Sequence, residues 1–125
     1  MSDQEKCACC AAPKLIFACS GGADVGAVSD QAARKMTLKG VGKMFCLAGI
    51  GGKISGILKT TEAAASVLVI DGCPIDCAKS SMEQAGFKDF THLRVTDLGF
   101  EKGKTAIDDE TISRVVQAGA DRLKP

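Results

Sequence analysis

The sequence predicts a single-domain α/β fold: a three-layer sandwich around a mainly parallel sheet of about four strands, Rossmann-like or flavodoxin-like, with helices on both faces. Three observations carry that expectation. Four short apolar runs recur at regular spacing, stretches of helical apolar periodicity separate them, and the apolar content is aliphatic. Hydrophobic residues make up 46 % of the 125 residues and aromatic ones only 4 %, with no Trp and no Tyr. The core must therefore be built from Val, Ile, Leu, Met and Ala, and a chain of this length can close such a core without staples.

The four runs are KLIFA (Lys14–Ala18), KMFCL (Lys43–Leu47), VLVI (Val67–Ile70) and HLRVT (His92–Thr96). Each is too short for a helix and lacks strict alternation, as expected of strands covered on both faces. The first helix is expected from about Asp24 to Leu38, with Val25, Val28, Ala32 and Met36 on one stripe and Gly40 past its end. A second begins near Gly52, carries Ile54, Ile57 and Leu58, and breaks around Thr60–Thr61. The third is expected to start at Pro74, a favoured first helical residue, and to carry Ile75, Ala78, Met82 and Ala85. The last runs from about Asp109 to Leu123 behind Asp108 as N-cap. Strands alternating with helices in this way indicate right-handed crossovers and a parallel sheet. Residues 1–13 read as a flexible tail with Cys7, Cys9 and Cys10, residues 14–125 as the domain, and Leu98–Ile107 as a surface loop.

Bulk properties exclude several function classes. A net charge of +1 provides no basic footprint for nucleic acid and no polybasic membrane patch. No apolar run approaches the ~20 residues that span a bilayer. The opening MSDQEKCACC has no basic segment followed by an apolar one, so a cytoplasmic location is expected. In that reducing setting, seven cysteines point to metal or thiol chemistry rather than to a disulfide framework.

Four of them mark one place. Cys19 follows the first strand, Cys46 ends the second, Cys73 follows the third, and Cys77 comes four residues later. Parallel strands put all their carboxyl ends on one edge, where open α/β sheets bind ligands. On a helix starting at Pro74, Cys73 and Cys77 would share one side of the first turn, where the helix dipole favours thiolates. Four such thiolates suit zinc, at Zn–S distances near ~2.3 Å. An inert buried cysteine is the competing reading, and it weighs most for Cys46 inside an apolar strand.

Other motifs fail on inspection. A phosphatase loop needs Cys-x5-Arg, yet Val25 stands six residues after Cys19 and Gly52 six after Cys46. Gly51-Gly52-Lys53 lacks the first Gly and the Ser/Thr of a P-loop, where Leu47 and Ile54 stand. His92, at the start of a strand, reads as structural or exposed. Asp24 and Asp76 read as helix N-terminal residues, and Asp71 as a residue that could orient a ligand loop.

The stretches CSGGADVG (Cys19–Gly26), MFCLAGIGG (Met44–Gly52), IDGCPIDCAKSSMEQAGF (Ile70–Phe87) and HLRVTDLG (His92–Gly99) resemble the DGC-domain family of zinc-binding proteins, named for the Asp-Gly-Cys found here as Asp71-Gly72-Cys73. The resemblance implies four metal-ligand cysteines, which map onto Cys19, Cys46, Cys73 and Cys77. Because four thiolates leave zinc no open position, the expected role is non-catalytic: storage, delivery, sensing or structural zinc, with a metal ion as the partner and no catalytic residue. Two alternatives stay open. One is a thiol enzyme of redox or sulfur transfer using Cys19, Cys73 and Cys77. The other is an iron–sulfur cluster on the same four residues.

Overall fold

The computed structural model describes residues 12–123. The chain runs β1 (Lys14–Ala18), α1 (Asp24–Leu38), β2 (Lys43–Met44), α2 (Leu47–Gly51), α3 (Ser55–Glu62), β3 (Ser66–Asp71), α4 (Cys77–Gln84), β4 (Thr91–Arg94), a 3-10 turn (Val95–Leu98) and α5 (Asp109–Arg122). The strands form one all-parallel sheet in the order β2-β1-β3-β4. The α/β three-layer expectation holds. The tail reading, with Cys7, Cys9 and Cys10, falls outside the described residues except for Ala12 and Pro13.

Strand side chains alternate between two cores. Ile16, Ala18, Leu68, Ile70 and Leu93 pack with Val25, Val28, Ala32 and Met36 of α1 and with Ile112, Val115 and Val116 of α5. Leu15, Phe17, Val67 and Val69 face the other way, onto Ile50, Ile57, Leu58, Ala78 and Met82 of α2, α3 and α4. This two-sided burial explains why the runs are apolar throughout instead of alternating. Gly119 brings α5 close to α1, since a Cβ there would lie 2.8 Å from Met36 Sδ. Phe17 and Phe45 meet edge to face with centroids 6.1 Å apart, a preferred aromatic geometry.

Several boundaries differ from the sequence reading, and α2 is a helix it did not expect. The second strand is short: pairing ends at Met44, one further bond runs from Phe45 N to Ile16 O (2.8 Å), and the chain then turns into α2. As an edge strand it has a partner on one side only, and Cys46 becomes the N-cap of α2. The third helix starts at Cys77, because Cys73–Asp76 forms a turn closed by Asp76 N donating to Cys73 O (3.2 Å). The fourth strand stops at Arg94 and passes into the 3-10 turn.

The winding order reverses between β1 and β3, which opens a crevice at their carboxyl ends. Glycines close the backbone around it. A Cβ on Gly72 would lie 2.7 Å from Val25 C and 2.8 Å from Gly26 N, and one on Gly26 would lie 2.7 Å from Gly21 O. The loop after β1, the first turn of α1 and the loop after β3 are thus in backbone contact. A further tie comes from Asp24, whose Oδ1 accepts from Gly103 N (3.0 Å) and whose Oδ2 accepts from Thr105 N (2.9 Å). These bonds hold the loop before α5 against the start of α1.

Gly72→Ala is expected to destabilise the fold by about 1–3 kcal/mol, because the backbone opposite must shift. Gly56→Ala in α3, where a Cβ meets nothing within 4 Å, is expected to stabilise it by up to ~1 kcal/mol. Urea unfolding midpoints check both, and equal midpoints would contradict the close approach. The Asp24 ties predict a pH dependence. The Gly103 amide, then that of Thr105, holds the Asp24 carboxyl below its ordinary 3.8. Its contribution is therefore present above 3.8 and lost as pH falls through the lowered folded-state value. Asp24→Asn should melt below wild type at pH 7, and that difference should close in acid.

Candidate metal centre

β1 leads directly to Cys19, whose amide donates to Ile70 O (3.0 Å) and continues the pairing with β3. Its side chain is half-buried, with Sγ 3.2 Å from the hydroxyl of fully buried Ser29. Ser29 Oγ donates its one proton to Gly26 O (2.8 Å), so in this arrangement the Cys19 thiol donates to Ser29.

Cys46 is exposed. It lines, together with Cys19, a cleft of about 1020 Å³ between the ends of β1 and β2, α1 and α2. The walls include Leu38, Met44, Phe45 and Leu47, and the Asp30–Arg34 ion pair (2.7 Å) stands on the α1 side. Ser81 of α4 also reaches this cleft, one turn beyond Cys77. The strand expected to run to Leu47 ends before Cys46, which leaves its sulfur accessible and removes the competing reading of an inert buried cysteine.

Cys73 follows Gly72 and is half-buried against the α1/α5 core, with Lys102 Nζ 3.7 Å from its Sγ. Cys77 is exposed at the first position of α4. Since Pro74–Asp76 lies in the turn, the two sulfurs do not share a helical turn. The local geometry expected of an i, i+4 pair is corrected accordingly.

The carboxylates around this turn have specific tasks. Asp71 caps α4 from a distance, with Oδ1 accepting from Ala78 N (2.7 Å) and Oδ2 from Lys79 N (3.0 Å). His92 Nε2 lies 2.8 Å from the same Oδ2. Asp76 occupies the N-cap position with φ 58° and makes no cap bond. Its carboxylate instead accepts from Arg94 Nε and Nη2, both at 2.7 Å. That bond to Arg94 holds the Asp76 carboxyl below its ordinary range and pushes the guanidinium value up. The left-handed conformation costs roughly 1 kcal/mol outside glycine, and the charged fork offsets it. The sequence reading, which had His92 as structural or exposed, did not give its bond to Asp71 or the Arg94 fork, and it gave Asp76 the capping role that belongs to Asp71.

All four cysteines are free thiols. Among the described residues, the group of three metal-capable side chains with ligand atoms within 4.8 Å of one another is Asp71, Asp76 and His92, not the cysteines. That trio is committed elsewhere, to the amides of α4 and to Arg94. The cysteine set fits a thiophilic metal by donor chemistry and by its place on three loops of one edge. Among the described residues no three of these sulfurs lie within 4.8 Å of one another, so closing all four around one ion would bring them nearer than they stand here.

The DGC domain matches residues 15–118. A curated relative, "Anaerobic and virulence modulator AnvM" of Pseudomonas aeruginosa strain PAO1, is 27 % identical over 88 residues, which cover 70 % of this chain and 67 % of the relative. No solved structure matches the chain. No helix among the described residues is long and apolar enough to cross a membrane.

The exposures predict an order of reactivity in metal-free protein. Iodoacetamide should alkylate Cys46 and Cys77 before Cys19 and Cys73, as followed by peptide mass mapping. Cys19 reacting first would contradict its bond to Ser29.

Proposed function

The chain belongs to the DGC-domain family, and from that premise we propose that it binds a thiophilic metal ion, foremost zinc, through Cys19, Cys46, Cys73 and Cys77. What supports this reading is the position of four free thiols in or just after the loops that follow β1, β2 and β3 at the carboxyl edge of one sheet, with the Cys19 and Cys73 loops in backbone contact through Gly21, Gly26 and Gly72. A bound divalent ion would supply charge neutralisation for four thiolates, and Lys102 beside Cys73 would lower the remaining negative charge.

The proposed role is storage, delivery or sensing rather than catalysis or structural support. Four thiolates saturate zinc and leave no place for a substrate or an activated water. The fold also closes without the metal, since both sheet faces are covered by apolar layers. Exposed Cys46 and Cys77 leave two donors within reach of an incoming ligand. A relative named as a modulator accords with a binding role.

Elemental analysis of protein purified without oxygen or chelator is expected to give one zinc per chain, with sulfur-only coordination by X-ray absorption. Cys77→Ser should lower the metal content, and chelation should lower the melting temperature while the fold persists. Folded protein that takes up no zinc would overturn the reading, and a coloured protein with iron and labile sulfide would replace zinc by an iron–sulfur cluster.

A second reading draws on the cleft. An apolar-walled space beside Cys19 and Cys46 suits a thiol acting on a bound molecule, in redox or sulfur transfer. Trapping a persulfide or a Cys19 disulfide by mass spectrometry after treatment with a persulfide donor or peroxide would favour it over metal binding.

A further inference from the structure

Two side chains of β4 reach the turn between Cys73 and Cys77. His92 and Arg94 are alternate residues of that strand and so share one face, while Leu93 between them enters the α1/α5 core. His92 Nε2 meets Asp71 at 2.8 Å, on the residue that precedes Gly72-Cys73 and also binds the first amides of α4. Arg94 grips Asp76 with two bonds of 2.7 Å, on the residue that precedes Cys77. Each end of the cysteine turn is thus fastened to the neighbouring strand. Asp97, 3.5 Å from Arg94 Nη1, steadies the guanidinium from the 3-10 turn.

We propose that His92 and Arg94 are positioning residues of the thiolate site, fixing through Asp71 and Asp76 the separation at which Cys73 and Cys77 are offered to one metal ion. The inference rests on the metal-binding reading and deepens it. Asp76 sits at φ 58°, a conformation disfavoured for a non-glycine residue unless its surroundings hold it. The bidentate fork supplies that hold, and a lysine could not reproduce it because an ammonium is a point donor. Without the fork Asp76 is free to leave the left-handed region, and the turn that spaces the two sulfurs loses its definition. The metal must then order the turn as it binds. Arg94 is partly exposed and lies outside both apolar clusters, so its loss should bear on the turn and not on the core.

The test uses Co(II) as the probe on the full chain, with affinity from chelator competition and ligation from the sulfur-to-cobalt charge-transfer band. Arg94→Gln and Asp76→Ala are each expected to weaken Co(II) binding about tenfold, the equivalent of ordering roughly one residue on binding. The double variant should be no weaker than either single one, since both remove the same fork. Arg94→Lys should recover little, and the charge-transfer band per bound cobalt should be preserved at saturation because the four sulfurs remain. Should Arg94→Gln not fold, Asp76→Ala removes the same fork from the other side. Unchanged affinity in a folded variant, or fully additive losses in the double one, would overturn the positioning role while leaving the metal reading intact. A wild-type chain that binds neither cobalt nor zinc would remove the metal reading, and the positioning role with it.

Discussion

Much of this structure depends on one backbone constraint, the approach of Gly72 to Val25 and Gly26 and of Gly26 to Gly21. β1 and β3 are neighbours, and the chain leaving each must turn toward a helix within a few residues. Side chains at these glycines would hold the two loops apart by the width of a methyl group. With hydrogen there instead, the loop bearing Cys19, the first turn of α1 and the loop bearing Cys73 stack as one unit. The glycines are thus what allows residues 54 positions apart in sequence to be presented at one crevice.

The other two cysteines are held differently. Cys46 is placed by an edge strand that pairs on one side only, anchored where Met44 N donates to Thr37 Oγ1 (2.8 Å). Cys77 is placed by a turn held at Asp76 by Arg94 of β4 and preceded by Asp71, which binds His92 of β4 and the α4 amides. Two thiols therefore rest on backbone packing, which is stiff, and two on hydrogen-bonded loops, which give way at lower cost. Cys46 and Cys77 are also the two that face solvent.

Period and composition made most of the architecture legible. α1, α5 and the central strands lie where aliphatic residues recur, because burial on both sheet faces imposes that pattern on the sequence itself. Gly40 past α1 and Asp108 before α5 were readable because caps are local. The misplaced start of α4 has a non-local cause. Pro74 favours a helix start by its own φ, but Asp76 is drawn into the left-handed region by Arg94, 18 residues away. Asp71 then caps the helix from eight residues before Lys79. No short-range signal announces either interaction. The second strand was drawn too long because KMFCL reads as a strand by composition, whereas pairing stops at Met44 on the sheet edge. The edge location of the four cysteines was legible from topology, but their separations were not, since these depend on turns that tertiary bonds decide.

The same geometry bears on what kind of metal site would suit this edge. A zinc ion held by four thiolates and sealed in a core exchanges slowly, because an incoming ligand has no approach and each departing sulfur is replaced at once by its fixed neighbours. Here two of the proposed donors lie on the surface and one opens onto a cleft. A thiolate from another molecule could replace Cys46 or Cys77 one bond at a time, with the coordination number kept throughout. Cys19 and Cys73, tied to the glycine-packed loops, would retain the ion until the last step. Saturated coordination excludes chemistry on the metal, while partial exposure permits its transfer, and together they favour a carrier or sensor over a structural rivet.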